Sequence, residues 1–277
     1  MIRSCVTVNT VASLREGPWI YGEPPETAFP KAAALGFDAV ELFTAAPDAH
    51  DPAALAGLAA RHGLAIAAVG TGAGRALHGL SLTHPDAAAR ARAVAFLDGM
   101  IAFGARLGAP AIVGSMQGPG TEGPERPRAL DWLAEGLAPL ARRAAALGFP
   151  LLLEPLNRYE TRLLNRLGDA AAFLDARGLK DIALLADLFH MNIEETSIPD
   201  AIRQAGRRIG HVHFADSNRR PVGFGHLDVP PLAGALRETG YAGYVSAEAL
   251  PYPDPDAAAA QTIRAFRKYL SDPLPGR

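Results

Sequence analysis

Short apolar runs alternate along the chain with longer segments of helical period. The runs that read as strands are Arg3–Val8, Ala39–Phe43, Ala65–Val69, Ala111–Gly114, Pro150–Glu154, Ala183–Asp187, Gly210–Phe214 and Tyr244–Glu248. Between them lie alanine-, leucine- and arginine-rich stretches such as "DPAALAGLAARHG" and "DAAARARAVAFLDGMIAFGARLGA". Gly36, Gly63, Gly108, Gly148 and Gly240 each stand just before the next strand. A glycine there tolerates the left-handed conformation that ends a helix. The recurring junctions "LGF", "HGL" and "LGA" predict short helix-to-strand turns, whereas the strand-to-helix connections are longer and more varied.

Strands alternating with helices imply a parallel sheet with right-handed crossovers. An open doubly wound sheet satisfies the same alternation, but eight units without a linker favour closure. The expected fold is α/β, a (β/α)8 TIM barrel forming a single domain over residues 1–277. The Pro/Gly-rich stretch "QGPGTEGPERPR" reads as a long loop after the fourth strand, and "SDPLPGR" as a short polar end.

Composition adds exclusions. With 49% hydrophobic and 20% charged residues the chain reads as an ordinary globular protein. A net charge of -2 gives no general attraction to nucleic acid or to an anionic membrane. The single cysteine, Cys5, cannot form an internal disulfide and suits a reducing compartment. With no signal-peptide pattern at "MIRSCVTVNT" and no apolar run near twenty residues, a cytoplasmic protein is expected.

In such a barrel, catalytic groups stand at the C-terminal ends of the strands. There the fifth strand ends in Glu154, the sixth in Asp187 and the eighth in Glu248, while the seventh carries His213. An acidic residue at a strand end often only caps the next helix. Four such groups on adjacent strands instead converge on one point. Three carboxylates packed together raise each other's pKa unless a cation sits among them. Three oxygen ligands and one imidazole predict one divalent ion: Mn²⁺ or Mg²⁺, with Co²⁺ as an alternative. Strands five and eight are about 135° apart around the barrel by the geometry of the fold. Glu154 and Glu248 then face a ligand from different sides, an arrangement suited to proton abstraction beside a carbonyl.

The segments "EPLNRYE", "DLFHMNIEE", "HVHFADSNR" and "SAE" resemble the sugar isomerase/epimerase TIM-barrel family (xylose isomerase-like), typified by D-tagatose and D-psicose 3-epimerases. The resemblance runs through the C-terminal half at matching strand positions. It implies that Glu154, Asp187, His213 and Glu248 bind one metal ion per subunit, Mn²⁺ first. It further implies that Glu154 and Glu248 exchange protons at the reacting carbon through a cis-enediolate, and that Glu160, His190 and Arg219 contact substrate oxygens. The implied partner is a small sugar, with no nucleic acid and no membrane, and family members are commonly dimers or tetramers. The implied activity is ketose C3 epimerisation.

The N-terminal half departs from the ketose epimerases at "VGTGAGRALHG" and "GSMQGPGTEG", where bulkier residues are expected to shape the distal pocket. "GTGAG" with Arg75, or "PVGFGH" with His226, are candidate phosphate cradles, although a non-phosphorylated substrate is favoured. Glu41 is either a pocket residue or a buried structural carboxylate, and Trp19, Tyr21 and Gln117 are candidate wall residues. Rival activities are an aldose–ketose or hydroxypyruvate-type isomerase and a keto-sugar dehydratase, which need the same metal and glutamates. An AP endonuclease-like DNA phosphodiesterase needs further histidine ligands on strands three and four, where His78 and His84 lie too far into the loop.

Overall fold

The computed structural model describes residues 1–120 and 125–271. Its strands are β1 (Arg3–Asn9), β2 (Ala39–Phe43), β3 (Ala65–Gly70), β4 (Ala111–Val113), β5 (Leu151–Leu153), β6 (Ile182–Asp187), β7 (Ile209–His213) and β8 (Tyr244–Ala247). They pair in parallel in chain order, and β1 pairs with β8 to close the barrel. The chain is therefore a (β/α)8 barrel. The expected strands all form, with ends shifted by a residue or so.

Seven helices return the chain between strands, α1 (Pro25–Leu35), α2 (Pro52–Arg61), α4 (Ala87–Arg106), α5 (Glu125–Ala146), α6 (Leu167–Ala176), α8 (Ile198–Ala205) and α9 (Val229–Glu238), and α10 (Pro255–Tyr269) follows β8. Two short helices, α3 (Ala73–His78) and α7 (Leu188–Glu194), lie within the connections after β3 and β6. Their starts follow from local chemistry. Asp51, Asp86 and Asp254 accept hydrogen bonds from the first free backbone N–H groups of α2, α4 and α10, and prolines occupy early positions where no N–H is needed. Their ends follow too: Gly36, Gly63, Gly108, Gly148 and Gly240 all have φ between 68° and 86°. No helix among the described residues is long and apolar enough to cross a membrane.

Strand alternation divides the side chains into two sets. Val6, Val40, Leu42, Val69, Leu151, Leu153, Leu184 and Val212 face the helices and join the main core. The opposite set fills the barrel interior: Ala68, Ile112, Leu152 and Leu185 in one cluster, Cys5, Ala39 and Ala67 in another. Continuing that interior set toward the C-terminal ends gives Glu154 two residues after Leu152 and Asp187 two after Leu185. The apolar run of β5 thus ends on a carboxylate because the next inward position belongs to the barrel mouth. Two register shifts, at Val40/Glu41 between β2 and β3 and at Leu184/Leu185 between β6 and β7, alter this phase locally.

The loop read from "QGPGTEGPERPR" lies partly outside the described residues, as does most of "SDPLPGR"; α5 begins already at Glu125.

Candidate active site

Four strand ends bring Glu154, Asp187, His213 and Glu248 together. His213 Nδ1 stands 3.2 Å from Glu154 Oε1, 3.3 Å from Asp187 Oδ2 and 3.4 Å from Glu248 Oε2. One ligand-type atom from each residue lies within 4.8 Å of the others. Donors bound side by side to an ion at about 2.1 Å are separated by about 3 Å, so this spacing fits a hard divalent cation. Glu154 Oε1 is buried and makes no hydrogen bond of its own despite its closeness to His213, which also fits a ligand atom. Asp187 divides its labour: Oδ1 caps α7 by accepting from the N–H groups of Phe189 and His190 at 2.7 and 3.0 Å, while Oδ2 faces His213. Capping and ligation are not alternatives here.

The electrostatics follow from burial and from this crowding. Burial pushes the Glu154 carboxyl up, and the nearby Glu248 charge adds to that, outweighing His213. Burial opposes ionisation of Glu248 as well, but His213 and Arg219 overcome it and hold the carboxyl low. For Asp187 burial is outweighed by His190, His213 and Arg219, which hold it well below the usual carboxylate range. Burial alone would lower His213, yet Glu41, Glu248, Asp187 and Glu154 raise it well above the usual imidazole value.

The three residues expected to touch substrate lie beside this cluster. Arg219 donates from Nη2 to Glu248 Oε2 at 2.7 Å and from Nη1 to Glu160 Oε1 at 3.3 Å. Its guanidinium lies 4.8 Å from the Phe189 ring centre. His190 Nδ1 accepts from the backbone N–H of Asn157 at 3.3 Å and from its side-chain amide at 2.7 Å. That pairing leaves the ring proton on Nε2, which is buried, has no hydrogen-bond partner, stands 3.8 Å from Asp187 Oδ2 and belongs to a residue lining the pocket. Asn157 also donates to Glu160 Oε1 at 3.1 Å, so one amide sets both neighbours. Asn157 lies inside the quoted "EPLNRYE" motif, but nothing in its type or spacing singles it out.

The cavity above the cluster has a volume of about 340 Å³. Its far wall contains Leu14, Pro18, Trp19, Phe43, Gly72 and Ala76. Trp19 and Phe43 pack with ring centres 4.6 Å apart. A Cβ at Gly70 or Gly72 would come within 3.0 and 3.2 Å of the Phe43 ring, so these glycines make room for it. The bulkier residues expected from strand three are thus replaced by an aromatic side chain from β2.

Several expectations need correction. Tyr21 and Gln117 do not line the cavity: Tyr21 is fully buried beside β1, and Gln117 donates from behind to the Glu154 carbonyl at 3.0 Å. "GTGAG" does line the wall with Gly70, Thr71 and Gly72, but Arg75 is not among the lining residues. The "PVGFGH" amides are already committed, with Gly223 N–H donating to Asp216 Oδ2 at 2.8 Å, Phe224 N–H to the Pro221 carbonyl at 3.1 Å and His226 N–H to Ser217 Oγ at 3.1 Å. Glu41 combines both readings offered for it, being 4% exposed, at the cavity floor, and paired with two histidines. His78 and His84 belong neither to the four-residue cluster nor to Glu41, His211 and His213, the second set among the described residues spaced closely enough to hold a metal.

Comparison with known proteins places these observations. A family profile described as xylose isomerase-like TIM barrel matches residues 29–269. A D-psicose 3-epimerase from Agrobacterium fabrum is 33% identical over 243 residues, covering 86% of this chain and 82% of that protein. An L-ribulose 3-epimerase from Mesorhizobium japonicum is 33% identical over 241 residues, covering 86% and 79%. A solved structure of an L-ribulose 3-epimerase superposes with a TM-score of 0.81 at 30% identity, covering 97% of this chain and 94% of that one.

Proposed function

The chain belongs to the xylose isomerase-like TIM-barrel family, and from that premise we propose that it is a divalent-metal-dependent ketose 3-epimerase. The observation that carries this reading is the convergence of two glutamates, an aspartate and a histidine nitrogen at the base of a cavity of sugar size. Glu154, Asp187, His213 and Glu248 would hold one cation per subunit, Mn²⁺ first and Mg²⁺ or Co²⁺ as alternatives. When bound, the cation supplies positive charge beside the substrate oxygens on which negative charge develops.

The chain's own groups do the proton work. An ionised glutamate removes the proton from the carbon next to the carbonyl, giving a planar cis-enediolate. The second glutamate, protonated, returns a proton to the opposite face, and the configuration inverts. Atoms balance, and the roles exchange in the reverse reaction. One group must start charged and the other neutral, as proton removal on one face and delivery on the other require. His190 Nε2 and the Arg219 guanidinium donate to substrate oxygens, and Glu160 accepts from a hydroxyl. Leu14, Pro18, Trp19 and Phe43 keep bulk water from the reacting carbon. The same reading takes residues 1–277 as one domain acting on a free sugar as a dimer or tetramer.

The test is a panel of free ketoses incubated with Mn²⁺-loaded enzyme in D₂O and followed by NMR. Deuterium at C3 together with a new epimer is expected. Deuterium at C1 or C2 instead makes the protein an aldose–ketose isomerase. Absence of exchange on every ketose overturns the epimerase reading.

A further inference from the structure

Below the active site a polar chain crosses the barrel interior beside its small apolar side chains. His211 Nε2 lies 2.7 Å from Glu41 Oε2, and His213 Nε2 lies 3.2 Å from Glu41 Oε1. All three residues are at most 4% exposed. Glu41 comes from β2 and the histidines from β7, three strands away through β1 and β8. His211 and His213 are two residues apart, so their rings share the inward face, 5.5 Å apart and edge to face.

This geometry solves a problem that four ligands do not solve alone. An imidazole can present either ring nitrogen, and its plane turns about its side-chain bonds. Here the Nε2 side is occupied by Glu41, which leaves Nδ1 pointing at Glu154, Asp187 and Glu248. Glu41 is itself prevented from swinging toward those ligands because its other oxygen is held by His211. Register shifts adjoin both ends of the chain. The shift at Val40/Glu41 adjoins Glu41 itself. On β7 the unpaired residue is Gly210, just before His211, where a Cβ would come within 2.8 Å of Ala183 Cβ. Both bulges therefore help to aim these side chains.

We propose that Glu41 is a positioning residue of the metal centre: it fixes His213 with Nδ1 toward the three carboxylates, and His211 in turn fixes Glu41. The assignment rests on the metal-site reading above. Outer hydrogen-bond partners of ligating histidines typically change metal affinity by about 10–100-fold when removed. A pair that only filled the core would leave that affinity alone.

Calorimetric titration with Mn²⁺ of wild type, Glu41→Ala, Glu41→Gln and His211→Gln separates the possibilities. Wild type is expected to bind one ion per subunit, and Glu41→Ala to bind it about 10–100-fold more weakly. Glu41→Gln, whose amide oxygen still accepts from Nε2, should recover most of the loss. A low-field Nε2–H proton resonance from His213 in Mg²⁺-loaded enzyme should persist in Glu41→Gln and vanish in Glu41→Ala. Should Glu41→Ala fail to fold, Glu41→Leu, close in volume, carries the same comparison. Equal affinity in wild type and either apolar variant overturns the assignment. Two ions per wild-type subunit would make Glu41 a ligand and overturn it as well. Failure of wild type itself to bind Mn²⁺ overturns the metal-site reading, an outcome visible without any variant.

Discussion

Arg219 holds Nη2 2.7 Å from Glu248 Oε2 while its own backbone sits at φ 59°, in the left-handed region that residues bearing a Cβ seldom adopt. Among the described residues it is the one non-glycine at positive φ. The conformation is clamped from both sides: Arg219 N–H donates to the Asp216 carbonyl at 2.9 Å, and Leu250 N–H donates to the Arg219 carbonyl at 2.7 Å. Strain of this kind costs on the order of 1 kcal/mol and persists where the surroundings hold it.

Arg219→Gly relieves the backbone and deletes the guanidinium. Its stability to urea should fall, because losing the pairs to Glu248 and Glu160 outweighs relief of about 1 kcal/mol of strain. Its kcat/KM should fall by about 10–100-fold, the worth of a charge-assisted hydrogen bond. Steady-state kinetics beside urea melts check this; a variant less stable yet fully active would show that the arginine serves only the loop.

Gly114 follows β4, and a Cβ there would lie 2.3 Å from Glu154 Oε2. Gly114→Ala must therefore move the carboxylate. A displacement near 1 Å at a reacting group costs about 10²-fold in rate. The barrel should remain folded by circular dichroism while kcat falls by about that factor and Mn²⁺ binding weakens. Wild-type kinetics in this variant would mean that Glu154 has another productive position.

Asp216 organises the loop that carries Arg219, accepting from the N–H groups of Ser217, Gly223 and Leu227 at 2.7, 2.8 and 3.0 Å. Burial opposes its ionisation, but these amides outweigh it and hold the carboxyl low. With the folded value below the unfolded one, near 3.9, its stabilisation is complete above that unfolded value. It is lost as pH falls through the depressed folded value. Asp216→Asn should cost about 2 kcal/mol at neutral pH, and the deficit should shrink in acid. Urea melts of both proteins across the acid range measure it; a deficit independent of pH would remove the carboxylate charge from the account.

Phosphorylated ketoses should be poorer substrates than free ones. Among the described residues, the cationic or imidazole side chains lining the cavity, His190, His213 and Arg219, all stand at the carboxylate end, while the far wall joins apolar side chains to the Glu16 carboxylate. Competition kinetics with a ketose and its terminal phosphate ester should favour the free sugar by tenfold or more. A preference for the ester would mean that another cation reaches the far end.

The barrel was legible because its signals are local: glycines at helix ends, aspartates and prolines at helix starts, and short apolar runs between them. Glu154, Asp187, His213 and Glu248 were legible because the strand end is itself a position that the fold reserves for chemistry. Glu41 and His211 were harder. Their partnership crosses the barrel and depends on two register shifts that leave no periodic trace in sequence. Asn157 was hidden for another reason: its importance lies in three simultaneous contacts, to His190 Nδ1 twice and to Glu160 once. The "PVGFGH" amides looked free in sequence only because Asp216, five residues or more upstream, could not be seen folding back onto them.

The most direct measurement is the anomalous diffraction of crystals soaked in Mn²⁺. One strong peak per subunit is expected, within about 2.0–2.3 Å of oxygens from Glu154, Asp187 and Glu248 and of His213 Nδ1. A peak between Glu41 and His211 instead, or none at the four strand ends, would contradict the four-ligand site.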